Sequence, residues 1–359
     1  MIDKGKTKVY FEAERLKYKN VGLYHFCKNL GEALIKESKQ DDEISLSIYA
    51  PKDCHIFQDN TQYVDVKLLH KYFLNLNQKV DVWHCSYQLS SYIPKSKEIK
   101  KLLTVHDLNF LREKSITKQK KYLQHLQRNI NLVDNVVCIS QFVADELAQH
   151  IDLKDKKVSV IYNGNNIDHS IIPIEPIIPA LDLSQPFLFF IGAILPKKNL
   201  HILPYLLKNN SYNLIIAGQV FDEDYKSTIL SLCKKLGVEE RVFIPGSISE
   251  NEKSYLLENC AFFCFPSITE GFGLPVVEAM SFGKPMLISK ATSLPEIAGE
   301  EAHYFESFEP DYLLKLGARM PNMMQSPEQK EKIIARSKMF SWTNAASEYW
   351  KLYKELAIK

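Results

Sequence analysis

Glu270 and Glu278 bracket two glycines in the segment Ser267-Ile-Thr-Glu-Gly-Phe-Gly-Leu-Pro-Val-Val-Glu278. An apolar run precedes it, Pro275 suits the first turn of a helix, and Gly283 suits that helix's end. The amides of Gly271, Phe272, Gly273 and Leu274 therefore fall at a helix N-terminus, where unpaired donors and the helix dipole favour an anion. A carboxylate on either side repels a bare phosphate but accepts hydrogen bonds from hydroxyls. A ligand meeting both demands carries phosphate in its middle and polyols at both ends, as a nucleotide sugar does. The same residues also read as a capping pair beside an ordinary turn.

A second segment, Phe187-Leu-Phe-Phe-Ile-Gly-Ala-Ile-Leu-Pro-Lys-Lys-Asn199, reads as a buried strand ending at Gly192, with Lys197 and Lys198 in the following loop. Two ammonium groups at a strand's carboxyl end would neutralise a diphosphate; the alternative is a pair of surface lysines at a helix start. In Asn20-Val-Gly-Leu-Tyr24, Gly22 would let backbone approach a phosphate. In Leu103-Thr-Val-His-Asp107, His106 ends a strand, either facing a cleft or satisfied by Asp107 within its own domain. Asp222-Glu-Asp224 has the D-x-D form of metal-dependent sugar transfer, but it stands at a helix start, where acidic residues are expected anyway. Lys114 to Arg128 holds five basic residues and no acid, which suits a solvated helix face or a contact with anionic lipid headgroups. There is no Walker A loop, zinc-ligand spacing or nucleophile elbow.

The elements that must position these residues alternate. Strands fit residues 7–12, 44–49, 82–84, 101–105, 135–139 and 158–162, and helices fit 23–38, 118–132 and 141–149. Four prolines between Pro173 and Pro186 interrupt the pattern and suit a linker. Strands then fit 187–191, 213–217, 242–244, 261–265 and 286–289; helices fit 200–208, 222–236, 250–259, 275–282 and 294–297; and the tail from Ser326 is helical. Strands alternating with helices predict parallel sheets in two α/β domains, with ligands at the carboxyl ends of the strands.

Composition bounds the reading. The 359 residues are 45% hydrophobic and 25% charged with a net charge of +2, which excludes collagenous, low-complexity and disordered chains. Seven cysteines without a C-x-x-C pair read as reduced core thiols. The N-terminal MIDKGKTKVYF has no secretion-signal core and no apolar run spans a bilayer, so a cytoplasmic protein is expected. Only three of the 13 glycines precede residue 160, which directs the search for a ligand to the second half. Residues 1–173 hold 26 basic and 21 acidic residues, a bias that fits an anionic partner or a lysine-rich solvated face.

In this order the segments resemble the retaining glycosyltransferases of family 4, which have the GT-B fold. The resemblance rests on Glu270 and Glu278 around EGFGLP, on IGAILPKKN, VHDL, VCISQFVADEL and YNGNNID, and on FIPGSISENEKSYLLENCAFFCFPS; it covers about residues 1–300 plus a C-terminal helix. It implies an α/β chain of two doubly wound Rossmann-like domains facing a cleft, with the C-terminal helix crossing back to the N-domain. Residues 1–173 would bind acceptor, 174–186 would link, 187–335 would bind nucleotide sugar, and 336–359 would return. It further implies that Glu270 binds the donor sugar hydroxyls, that Gly271, Phe272, Gly273 and Leu274 present amides, and that Glu278 binds the ribose. Lys198, assisted by Lys197, would bind the diphosphate. Gly22 would approach it from the N-terminal domain, His106 would lie beside the donor sugar, and Ile244 with Pro245 would contact the base. Catalysis would rest on His106, Lys198 and Glu270.

The implied reaction is metal-independent hexosyl transfer with retention by front-face attack, needing no cofactor. P-K-K-N and VHDL resemble mannosyl- and rhamnosyltransferases, which points to GDP-mannose ahead of UDP-glucose or UDP-N-acetyl sugars. The acceptor would be a glycan or lipid-linked saccharide of bacterial cell-surface polysaccharide synthesis, met in the cytoplasm or at the inner membrane face; no nucleic acid is expected, and oligomeric state is not readable. Where many members carry Arg after the strand-end glycine, this chain has Ala193, and a lysine does not fork a diphosphate as arginine does. Two alternatives stand beside this reading. A GT-B-fold sugar-nucleotide epimerase would need acid–base residues beyond His106, and a nucleotide-sugar-binding protein without catalysis is favoured by Ala193 alone.

Overall fold

The computed structural model describes residues 5–19, 21–58, 60–72, 74, 79–323 and 325–358; Asn20 and Lys359, named in the segments above, lie outside the described residues. By its contacts the chain forms two units, one of residues 1–164 with 340–359 and one of residues 165–339.

In the first unit the described strands are β1 (Thr7–Glu12), β2 (Ile44–Ala50), β3 (Gln62–Asp65), β4 (Val82–Cys85), β5 (Lys100–Val105), β6 (Asn135–Cys138) and β7 (Lys157–Val160). They form one parallel sheet in the order β3-β2-β1-β4-β5-β6-β7. The chain winds outward from β1 on one side, then returns to β4 on the other, which is the doubly wound pattern. The helices are α1 (Gly22–Ser38), α2 (Phe110–Glu113), α3 (Ile116–Leu132) and α4 (Gln141–His150). Strand β3 has no counterpart in the sequence reading: it is four residues long, lies at the sheet edge and buries none of its residues fully, so it carries no continuous apolar run.

The second unit repeats the plan with β8 (Phe187–Ile191), β9 (Asn213–Ala217), β10 (Val242–Gly246), β11 (Phe262–Phe265), β12 (Met286–Ile288) and β13 (His303–Tyr304), parallel in the order β10-β9-β8-β11-β12-β13. Its helices are α5 (Glu223–Leu236), α6 (Glu250–Asn259), α7 (Leu274–Ser281), α8 (Leu294–Ala298), α9 (Pro310–Arg319) and α10 (Pro327–Ser337). The helix expected at 200–208 is instead a 3₁₀ helix over Leu200–Leu207. Pro204 inside it cannot donate and would clash with the carbonyl four residues back in an α-helix, which favours the tighter winding. Residues 174–186 lie with this unit: Ile174 N–H donates to Asn251 O at 3.2 Å, and Tyr255 Oη donates to Glu175 at 2.7 Å.

The helical tail divides. Helix α10 belongs to the second unit, whereas α11 (Trp342–Ala357) returns to the first and packs on α1. Ala345, Ala346, Tyr349, Trp350, Leu352, Tyr353 and Leu356 form its buried face. Two of its phenols serve as polar handles inside the core: Tyr353 Oη lies 2.6 Å from His84 Nδ1, and Tyr349 Oη lies 3.0 Å from Thr104 Oγ1. The chain passes so closely here that a Cβ on Gly164 would sit 2.2 Å from Trp342 N. Gly164 thus permits a close backbone approach and is more than a turn residue. All seven cysteines are buried and free; burial pushes the thiols up, Cys138 and Cys260 to about 12, as reduced core thiols require.

Candidate functional site

In the second unit β8 and β11 are the neighbouring strands at which the winding reverses. Loops leaving the carboxyl ends of such a pair form the ligand crevice of open α/β sheets. The two segments singled out from sequence are those loops.

Strand β8 ends at Gly192, whose φ of 149° lies in the region that favours glycine. Gly218, φ 131°, follows β9, and a Cβ there would lie 1.9 Å from Gly192 O. Gly218 thus lets the β9 exit lie directly against the β8 exit. Gly246, with φ 81° and open space around it, closes β10, and its carbonyl accepts from Gly218 N–H at 2.7 Å. The chain then makes a 3₁₀ turn, Pro196–Lys198, and Asn199 takes a left-handed φ of 56°. This folds Lys198 inward until the residue is 8% exposed. Its Nζ stands 2.5 Å from Glu270 Oε1 and 4.8 Å from the Phe265 ring centroid. Lys197 is half-buried, and its carbonyl accepts from Ile268 N–H at 2.9 Å, joining the two loops through backbone.

The β11 loop is braced from its other side. Glu270 N–H donates to Thr292 Oγ1 at 2.9 Å, Ser293 Oγ donates to Glu270 O at 3.1 Å, and Ser289 Oγ donates to Ser267 O. Thr292 holds a φ of 53°, a strained value for a β-branched residue. Gly271, Phe272 and Gly273 are buried and Leu274 half-buried. Gly273, φ 97°, is the N-cap of α7, has no side-chain cap bond, and would place a Cβ 2.7 Å from Leu294 Cδ2. The first turn of α7 holds Pro275 and no acidic residue, so its amides and dipole present positive potential.

Glu278, farther along α7, is 5% exposed. Its Oε1 accepts from Asn166 Nδ2 at 3.2 Å, and its Oε2 lies 3.5 Å from Lys253 Nζ. Burial pushes this carboxyl above the usual range, Lys253 pulls it back and Glu250 pushes it up. Sequence reasoning missed both Lys253 and Asn166. The signal for Lys253 lay in the spacing: Lys253, Leu256 and Leu257 fall at i, i+3 and i+4, on the buried face of α6.

The remaining expected residues have these places. Ile244 is half-buried on β10. Asp222 caps α5, accepting from Tyr225 N–H at 2.8 Å, which gives the D-x-D segment a structural role. Gly22 and His106 belong to the first unit. Gly22 opens α1, is exposed, and a Cβ there would meet nothing within 4 Å. His106, just beyond β5, is 7% exposed; its Nε2 lies 2.7 Å from Ser86 O, its N–H donates to Gln88 Oε1 at 3.1 Å, and its ring meets Phe26 edge-on. A carbonyl partner makes Nε2 the protonated nitrogen and Nδ1 the acceptor. Burial brings the imidazole pKa down to about 4, the Ser86 carbonyl opposing and Arg15 adding, so the ring is neutral at pH 7. Asp107 is not its partner: that carboxylate accepts from Asn109 N–H at 3.0 Å, within a tight turn.

The family model described as Glycosyl transferases group 1 matches residues 173–338, and that described as Glycosyltransferase Family 4 matches residues 46–169. The chain is 29% identical over 227 residues to the serotype-specific mannosyltransferase WbdA of Escherichia coli, a match covering 59% of this chain and 28% of that one. It is 28% identical over 233 residues to the O-antigen chain mannosyltransferase RfbU of Salmonella typhimurium, covering 63% and 61%. The chain thus spans less than two thirds of the length of these relatives. Among solved structures, sucrose-phosphate synthase from Thermosynechococcus elongatus superposes with a TM-score of 0.75 at 15% identity over 98% of this chain and 99% of that one. Anabaena HepE, in complex with UDP and glucose, superposes with a TM-score of 0.71 at 16% identity over 97% and 100%. These likenesses give the GT-B fold.

Proposed function

Since the chain belongs to glycosyltransferase family 4 and has the GT-B fold, we propose that it transfers a mannosyl group from GDP-mannose to a saccharide hydroxyl with retention of configuration. The observation that carries this reading is the Lys198–Glu270 ion pair at the mouth of the α7 N-terminus. A cation for phosphate, a carboxylate for hydroxyls and a row of helix amides stand within one pair of loops.

In the proposed reaction the bond from the anomeric carbon to the phosphate oxygen breaks, and a bond to the acceptor oxygen forms on the same face. The acceptor proton passes to the leaving phosphate. Lys198, with Lys197 and the α7 amides, stabilises the charge that develops on the diphosphate. A diphosphate competes with Glu270 for Lys198, and the carboxylate so released accepts from the sugar hydroxyls. Glu278 accepts from the ribose, and Ile244 flanks the base. The roles of Gly22 and His106 rest on the family resemblance. Helix α3 exposes Lys118, Lys120, Lys121 and Ile116 and carries no acid, which suits peripheral contact with an anionic membrane that presents a lipid-linked acceptor. Among the described residues no helix is long and apolar enough to cross a membrane. The mannosyltransferase relatives and the O-antigen role of one of them support the choice of sugar and of polysaccharide synthesis.

A thermal-shift panel of GDP- and UDP-sugars tests the proposal. Stabilisation by GDP-mannose above the others supports it. Stabilisation by a UDP-sugar alone replaces the donor, and no shift with any nucleotide sugar refutes the reading. Product analysis with the stabilising donor then separates transfer from epimerisation.

A further inference from the structure

The Glu278 carboxylate is almost wholly enclosed, its side chain 6% exposed, and a lone buried carboxylate tends to take up a proton. Beside it stands Lys253, a lysine whose side chain is only 8% exposed. Lys253 Nζ lies 2.7 Å from Glu250 Oε2 and 3.5 Å from Glu278 Oε2. Glu250 is three residues earlier on α6 and reaches solvent, its side chain 55% exposed. The order is therefore solvent, Glu250, Lys253, Glu278, with Asn166 on the far oxygen of Glu278.

We infer that Lys253 is a positioning residue for nucleotide recognition, one that holds Glu278 ionised and oriented to accept two hydrogen bonds from a vicinal diol. The inference rests on the reading of Glu278 as the ribose-binding residue. An ionised carboxylate has about four acceptor sites, of which Asn166 and Lys253 occupy two; the remaining pair matches two neighbouring hydroxyls. A protonated Glu278 would turn one oxygen into a donor and lose that match. Glu250 fixes the lysine's rotamer and shares its charge, so the lysine is divided between two carboxylates. The charged groups acting on Glu278 are these two, both from α6; its third partner, Asn166, is neutral. Burial pulls the Lys253 ammonium down, and Glu278 and Glu250 more than offset this, so the lysine stays protonated at pH 7.

The two α6 residues act on Glu278 with opposite sign, which gives a test that a merely structural role would not pass. GDP binding, with UDP in parallel, is titrated calorimetrically between pH 5 and 8.5 for the wild type, Lys253→Met, Lys253→Arg, Glu250→Gln and Glu278→Gln. Lys253→Met keeps the apolar stem and removes the charge. It is expected to weaken nucleotide binding about tenfold at pH 7, with the loss narrowing as pH rises. Lys253→Arg restores most of the affinity. Glu250→Gln, at an exposed position, removes a negative charge, leaves Lys253 to Glu278 alone, and moves the acid limit of binding to lower pH. Should Glu278→Gln weaken binding while Lys253→Met and Glu250→Gln follow the wild type at every pH, the inference about Lys253 is overturned. Should Lys253→Met fail to fold, a Glu250→Gln acid limit that stays put or moves upward overturns it. Should Glu278→Gln bind as the wild type does, or the wild type bind neither nucleotide, the underlying reading of the site falls instead.

Discussion

Lys198 Nζ and Glu270 Oε1 lie 2.5 Å apart with their side chains 11% and 14% exposed, so the cation that best suits a leaving phosphate is already neutralised by the carboxylate that best suits a sugar. Each residue thus sets the charge that the other presents to a donor. Replacing Lys198 by Ala is expected to lower turnover about 100- to 1000-fold, the usual effect of removing one stabiliser of developing charge. Melting should stay cooperative. Steady-state kinetics with the donor found by thermal shift checks this, and unchanged turnover removes Lys198 from the mechanism.

Gly22 separates a structural requirement from a ligand requirement. It opens α1 with open space about its missing side chain, so the protein itself does not demand glycine there. Gly22→Ala should leave the melting temperature unchanged or slightly raised, since alanine restricts the unfolded chain. If the donor phosphate approaches this backbone, the same variant raises the KM for the donor. Wild-type KM in a fully stable Gly22→Ala protein would take Gly22 out of the donor site.

Gly218 is the opposite case. With φ at 131° and Gly192 O only 1.9 Å from the would-be Cβ, alanine there forces the β8 and β9 exits apart. Strain and overpacking of this kind cost about 1–3 kcal/mol or more. The expected fall in melting temperature is roughly 2–12 °C. Gly246→Ala, which has a positive φ but open space, should lose less. Calorimetry of the two variants decides the order, and equal losses would contradict the close-packing account.

The first unit buries groups whose titrations oppose each other. Burial, with the neighbouring His106, brings His84 down to about 3, and burial brings His106 down to about 4. An unfolded histidine binds a proton near pH 6.5 that these two refuse when folded, so they lose stability as pH falls from about 6.5. Glu12 behaves in the reverse sense. Burial and then Glu14 raise it to about 7, so its folded form keeps a proton that the unfolded chain releases near pH 4.5. Its contribution is present below about pH 4.5 and lost as pH rises through 7. Glu12→Gln should therefore gain stability relative to the wild type between pH 5 and 8, by on the order of 3 kcal/mol. Urea melts at several pH values measure the difference, and a pH-independent difference would contradict this account of Glu12.

Much of this was legible in the sequence where local pattern and tertiary fate agree. Buried parallel strands are short continuous apolar runs, so β8, β9 and β11 announce themselves, and the glycine–proline punctuation around α7 places the loop of the site. Helices α5 and α6 start at Asp222 and Ser249 caps, whose side chains accept from Tyr225 and Glu252 amides as their residue types suggest. Illegible features depended on distant partners. Nothing local says that Gly218 lies against Gly192, that His106 bonds Ser86 rather than Asp107, or that a lysine on α6 turns inward to a glutamate on α7. The edge strand β3 escaped notice because half-exposed residues carry little apolar signal, and the 3₁₀ winding of 200–207 turned on a single proline.

The central claim is that the second unit binds a nucleotide-diphosphate sugar through the loops after β8 and β11. Calorimetric titration of GDP-mannose into the wild type and into Glu270→Gln tests it most directly. The account predicts saturable one-to-one binding by the wild type and clearly weaker binding by the variant, with GDP alone less affected because Glu270 serves the sugar. Equal binding of GDP-mannose by both proteins, or binding of no nucleotide sugar by the wild type, would contradict it.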